Sequence, residues 1–222
     1  MGTAELDNIQ LTIFSHIITY GNCADAALTE LMRDEIETMW NEPKGTLLLD
    51  GSKFNVRFFI TGSHQPTITD IDIIQNTDPR NNYFRIEEFS YNNISFVDGC
   101  GCNTGYFKLE NLYKGSTTAA HEYGHTIGLD HPVDMDFRGK GVPGIMYPRG
   151  TLVDTQYQYE PDKPAGEKGG TMFPIYRKVR QEDIDNLKLH RLDFVNGKAI
   201  LGDFTSVWHP NHKDIDWNNY LT

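Results

Sequence analysis

At 222 residues, 38 % of them hydrophobic and 12 % aromatic, the chain is long enough to bury a core and too apolar for a disordered tail. Its 31 Asp and Glu outweigh 20 Lys and Arg to leave a net charge of −11, which repels polyanions and so excludes nucleic-acid and anionic-membrane partners. No apolar run reaches the roughly 18 residues that span a bilayer. The opening Met1-Gly2-Thr3-Ala4-Glu5-Leu6-Asp7 has neither the basic start nor the apolar core of a signal peptide, which leaves two settings, a cytosolic protein or, the favoured expectation, a module of a longer secreted chain. Cys23, Cys100 and Cys102 are too few for a disulfide framework and lack the paired spacing of a structural zinc site. Cys100 and Cys102 can bridge each other, or one can reach Cys23; an odd count leaves at least one thiol free or paired between chains.

Along the chain, Ile9 to Tyr20 alternates apolar positions through Ile9, Leu11 and Ile13, which predicts a strand. Asp25 then caps an amphipathic helix whose Leu28, Leu31, Met32, Ile36, Met39 and Trp40 recur at three-to-four spacing until Pro43. Phe54 to Thr61, Tyr83 to Phe89 and Ile94 to Val97 are further strands. The polar stretch with Asp70, Asp72 and Asp78 lies between the first two; it could hold calcium but is read as a solvated loop, because no full oxygen-ligand pattern is present. After the break at Gly99 to Gly105, Tyr106, Phe107, Lys108 and Leu109 resume an extended pattern. Ser116 or Thr117 caps a helix from Thr118 to Gly128. Residues 132 to 173 are irregular and rich in Gly and Pro, and loops this long are usually functional. Gln181 to Leu192 opens acidic and closes basic, predicting a long last helix. Phe194 to Thr222 is read as a short strand pair or a packed tail.

The chemistry sits in His121-Glu122-Tyr123-Gly124-His125-Thr126-Ile127-Gly128-Leu129-Asp130-His131. Histidines four apart on a helix project from one face and can hold a single ion. Gly128 is placed where a helix stops in a left-handed conformation, and the turned chain brings His131 onto the same metal. Three neutral imidazoles leave a fourth zinc position for water, whose pKa falls to about 7. Glu122 is then the base that takes a proton during attack and returns it to the leaving amine. His16, His64 and His190 lie singly and are read as structural, while His209 and His212 form a loose pair without a further ligand.

This eleven-residue segment resembles the long zinc-binding signature of the metzincin metallopeptidases, and its Gly128-Leu129-Asp130-His131 ending is most similar to the matrixins. The resemblance implies an α+β fold: a twisted, mostly parallel five-stranded sheet with one antiparallel edge strand, an active-site helix and a C-terminal helix. It implies an upper lobe over 1–131 and a lower lobe over 132–222. It implies zinc-dependent hydrolysis of internal peptide bonds in a protein or peptide substrate docked along Tyr106 to Leu109. The methionine turn of the family has two candidates, Met146 in Gly144-Ile-Met-Tyr-Pro, favoured by its nearness to His131, and Met172 in Gly170-Thr-Met-Phe-Pro. Pro148 and Pro174 stand where some metzincins carry a zinc-binding tyrosine, so no tyrosine ligand is expected. The segment Tyr147 to Pro174 is expected to shape the pocket beyond the cut bond. Phe137 to Pro174 is also similar to metallopeptidase domains of bacterial Rhs-type toxin proteins. The resemblance therefore leaves two alternatives to a general endopeptidase, a target-specific toxin protease and a non-catalytic binding module.

Overall fold

The computed structural model describes residues 1–216. In chain order its elements are β1 (Gly2–Asp7), β2 (Gln10–Tyr20), α1 (Ala26–Asn41), β3 (Thr46–Leu49), β4 (Ser52–His64), α2 (Asp70–Ile74), β5 (Asn81–Glu87), β6 (Phe96–Val97), β7 (Thr104–Lys108), α3 (Thr118–Thr126), α4 (Gln181–Asn186) and β8 (Lys198–Leu201). The strand β2 organises the sheet. One edge pairs parallel with β4, from Gln10 opposite Asn55 to Thr19 opposite His64. The other edge is shared, with β1 antiparallel along Gln10 to Phe14 and β5 parallel along His16 to Tyr20. Beyond β5, β7 runs parallel and β6 antiparallel to it; β3 closes the far side antiparallel to β4, and β8 pairs antiparallel with β1. The fold is therefore α+β with one mixed sheet.

Helix α1 forms as its spacing predicts. The Asp25 carboxylate accepts from the Leu28 amide at 2.7 Å, and Met32, Ile36 and Trp40 share the buried stripe. That stripe covers the sheet and reaches α3, where Trp40, Phe58 and Tyr123 meet with ring centroids 5.1 to 6.4 Å apart. All three side chains are fully buried, and burying rings of this size contributes on the order of 2 to 3 kcal/mol each.

Several expectations need correction. The sheet has eight strands rather than five, because Gly2 to Asp7, Thr46 to Leu49 and Lys198 to Leu201 also pair. Tyr106, Phe107 and Lys108 lie in β7, which runs parallel to β5 and is hydrogen-bonded on both sides, so it is not the antiparallel edge; Leu109 begins a 3-10 turn. The antiparallel outer strand on this side of the sheet is β6, with Phe96 opposite Tyr106 and Val97 opposite Gly105. The last helix is one short piece. The Asp183 carboxylate accepts from the Arg180 amide at 2.8 Å and starts α4, but Lys188 takes a left-handed φ of 51°, and only a 3-10 turn over Leu189–Arg191 follows. Of the expected tail, β8 pairs with β1 and bridges back to Val195 through Lys198, residues 203 to 214 pack across β6 and β7, and 217 to 222 lie outside the described residues.

Candidate metal centre

Helix α3 is held at its start by groups from three other segments. Thr117 sits at φ 59° and does not cap the helix; its hydroxyl donates to the Pro174 carbonyl at 2.8 Å and accepts from Arg177 Nε at 2.9 Å. Ser116 Oγ accepts from the Thr118 amide at 3.2 Å, and Glu35 of α1 accepts from the Ala120 amide at 3.3 Å. Acceptors are needed there because the first turn of a helix leaves its amides without internal partners. On the inner side, Trp40 Nε1 donates to the Ala120 carbonyl at 3.0 Å and the Tyr123 hydroxyl meets Ser15 Oγ of β2 at 2.8 Å. At the other end Gly128 takes φ 99°, with its amide bonded to the His125 carbonyl and the Leu129 amide to the Gly124 carbonyl. A Cβ at Gly128 would meet nothing, so the left-handed backbone alone calls for glycine.

The turn brings His131 back onto the helix face. Its Nε2 lies 3.1 Å from Nε2 of His121 and 3.1 Å from Nε2 of His125. His121 Nδ1 donates to the Ile145 carbonyl and His125 Nδ1 to the Leu129 carbonyl, each at 2.7 Å. A carbonyl only accepts, so each Nδ1 carries the proton and each Nε2 of these two neutral rings presents a lone pair. Burial lowers the pKa of all three histidines, His121 furthest, which keeps them neutral near pH 7. Lone pairs converging at this distance lack enough protons to satisfy one another, and a cation resolves the conflict. Four nitrogens around zinc at 2.0–2.1 Å stand about 3.3 Å apart, close to the separations found here. The donor set thus fits zinc. Among the described residues this is the one group of three His, Cys, Asp or Glu side chains whose ligand atoms lie within 4.8 Å of one another.

Glu122, next to His121, faces the same cleft of about 490 Å³. Burial pushes its pKa up to about 8, against the pull of Arg177, Arg149 and a hydrogen bond from the Val97 backbone. Arg177 is 3 % exposed, and burial lowers its own pKa to about 10. Beneath the histidines, Ile145 bonds His121 and Met146 fills the space beside Gly124, whereas Met172 packs with Phe137 and Val153 in a separate cluster. Leu109, Tyr106, Phe107 and Lys108 are absent from the cleft lining, which on that side is Ile94 to Val97.

The remaining sequence candidates have other partners. Asp72 caps α2 through Thr69, and Asp78 pairs with Arg80 at 2.6 Å. His209 pairs with Asp98 at 2.7 Å and His212 stacks on Tyr106 with centroids 3.7 Å apart. Cys23, Cys100 and Cys102 are free thiols. Sequence reasoning missed Glu35, Arg149, Arg177 and Val97. None of these carries a local motif, and each reaches the site from a segment outside the eleven-residue signature.

No protein-family model matches the chain, and no curated protein matches it in sequence. Among solved structures it is similar to archaemetzincin from Methanopyrus kandleri, with a TM-score of 0.39 and 11 % identity over 80 % of this chain and 95 % of that one.

Proposed function

We propose that this protein is a zinc-dependent endopeptidase. The observation that carries the reading is the convergence of His121, His125 and His131 through Nε2 atoms 3.1 Å apart, beside a buried Glu122 in an open cleft. His121, His125 and His131 would hold the ion. When bound, zinc supplies Lewis-acid polarisation of a water and of the scissile carbonyl, and positive charge that favours the ionised form of Glu122.

The rest falls to the chain. As the oxygen of water joins the carbonyl carbon, one of its protons passes to a Glu122 carboxylate oxygen. The same proton goes from Glu122 to the amine nitrogen as the C–N bond breaks. A carboxyl whose burial already favours protonation is suited to hold that proton between the two transfers. Ile145 fixes the His121 tautomer through Nδ1, and Met146 supports the helix from below at Gly124, the place the resemblance assigns to the methionine turn. The free edge of β6 borders the cleft through Phe96 and Val97, so an extended substrate would add to the sheet there.

The test is cleavage of a peptide library read by mass spectrometry, with bound zinc measured in parallel. The zinc-loaded parent should cut internal bonds, and Glu122→Gln should keep its zinc while losing a factor of about 10² to 10⁴ in rate. A zinc-loaded parent that cuts nothing, or a Glu122→Gln variant as active as the parent, would overturn the reading.

A further inference from the structure

Two arginines line the cleft that holds Glu122, and neither has an ion-pair partner among the described residues. Arg177 lies deep in the wall. Its Nε and Nη1 are used by Thr117 Oγ1 at 2.9 Å and the Tyr147 carbonyl at 3.2 Å, while no acceptor among the described residues takes Nη2. Arg149 is exposed at the mouth, and the single bond it makes runs from Nη2 to Asn111 Oδ1 at 2.9 Å. Thr118, 4 % exposed, lines the same cleft, and its buried hydroxyl has no partner among the described residues.

A guanidinium taken out of water is costly unless something negative meets it. This chain has 31 carboxylate side chains and a net charge of −11, yet neither carboxylate of the cleft lining, Glu122 or Asp130, forms an ion pair with Arg149 or Arg177 among the described residues. Two acidic groups, Glu122 and Glu35, act on Arg177 through space rather than by contact. Glu122 is committed to proton transfer and Glu35 to the amides of α3. Unused N–H donors on two planar guanidinium forks, with a free hydroxyl beside them, match a carboxylate, which accepts two parallel bonds from such a fork.

We propose that Arg149 and Arg177, with Thr118, form a carboxylate-binding subsite beside Glu122, so that this protein selects peptides bearing a carboxylate close to the cleaved bond. The proposal rests on the peptidase reading and adds a substrate class to it. The carboxylate can belong to an Asp or Glu side chain or to the free C-terminus of the substrate. The wall charge has the same use in both cases.

Binding tests this apart from catalysis. Zinc-loaded Glu122→Gln is titrated with fluorescent peptides amidated at the C-terminus that differ by Glu or Gln at one position, scanned along the sequence. A second pair differs only in a free or amidated C-terminus. One pair should show the carboxylate form binding about tenfold more tightly, as expected for a charge-assisted hydrogen bond gained, and that pair identifies the source. Arg149→Gln in the same background should bring the ratio below about threefold, and Arg149→Glu should turn the preference toward Lys at that position. These two variants alter an exposed side chain, so the outcome does not depend on whether substitutions of buried Arg177 fold. Equal binding of carboxylate and amide in both pairs overturns the subsite. So does a ratio that survives Arg149→Gln, since the carboxylate would then be held elsewhere, for instance by zinc. Cleavage by the parent without any ratio removes the subsite alone; a ratio without cleavage by the parent removes the peptidase reading alone.

Discussion

Glu35 of α1 accepts a hydrogen bond from the Ala120 amide at 3.3 Å, so a carboxylate from another helix holds the opening turn of the helix that carries His121 and His125. Burial raises its pKa, while the amides of Ala120, Ala119 and Thr117 and the charge of Arg177 work to keep it ionised. Glu35→Ala leaves buried amides without an acceptor and should cost about 1 to 3 kcal/mol in urea unfolding. It should also weaken zinc in a chelator competition, because a frayed first turn lets His121 drift from His125. Glu35→Gln retains an acceptor oxygen and should lose less on both counts. Glu35→Ala with parental stability and zinc affinity would show that the cap is not needed.

Gly124 leaves no room for a side chain against Met146. A Cβ added at Gly124 would overlap the Met146 sulfur and stand 3.2 Å from Trp40 Cζ2. Alanine is worth about 1 kcal/mol over glycine inside a helix, but overpacking costs typically 1 to 3 kcal/mol, so Gly124→Ala should come out destabilising. Met146→Ala alone should cost about 2 to 4 kcal/mol through the cavity it leaves. In the double variant the new methyl group enters that cavity, and the loss should fall short of the sum by at least about 1 kcal/mol. Strict additivity in thermal or urea unfolding would mean that the two residues do not share the space.

The convergence of His121, His125 and His131 beside Glu122 was legible in the sequence because an α-helix and one glycine turn bring residues within eleven positions onto one point. Helix α1, β2 and β4 were legible from periodicity and caps. What escaped depends on pairing at a distance. The direction of Tyr106 to Lys108 is set by its partner β5, and alternation along a strand carries no information on that. Thr46 to Leu49 and Gly2 to Asp7 are strands because β4 and β2 offer them free edges. The last helix was overestimated because its charge pattern is compatible with a helix through Leu192, and only the left-handed Lys188 interrupts it. Arg177 follows a Pro-rich irregular stretch and enters the site only when Thr117 and Tyr147 are in place.

The pH dependence of the zinc-free protein should separate Glu122 from the histidines. The folded pKa of Glu122 is raised from 4.5 to about 8, so the native state holds the proton more tightly than the unfolded chain. Its contribution to stability is present below 4.5 and is lost as pH rises toward 8. The histidines are shifted the other way; their contribution is present above about 6.5 and lost as pH falls below it. From pH 6.5 to 8 the parent should lose about 1.5 to 2 kcal/mol relative to Glu122→Gln, which keeps the same histidines and so shares their remaining gain over this range. Melting temperatures of the two at pH 6.5 and pH 8 check this; an identical change in both proteins would contradict the burial of Glu122. Zinc should flatten the parent's slope, since a nearby cation favours the carboxylate.

The strand bordering the cleft is tied down from behind by the tail. Asp98, directly after β6, accepts from His209 Nε2 at 2.7 and 2.8 Å and from the Thr104 hydroxyl at 2.5 Å, with both ring and carboxylate about nine-tenths buried. His209→Ala leaves that carboxylate short of donors in a buried place, a loss of about 1 to 3 kcal/mol. The damage should be local, because β6 is only two residues long and is otherwise held by its pairing with Tyr106 and Gly105 and the stacking of Phe96 on Tyr106 and His212. Hydrogen exchange should therefore quicken at Phe96 to Asp98 and at β7 before it changes in α1 or β4. If peptide substrates add to β6, KM should rise several-fold with kcat little changed, as bound peptide must first order the strand. His209→Gln keeps a donor and should restore most of the protection. Uniformly faster exchange over the whole sheet would assign His209 to general stability rather than to the cleft edge.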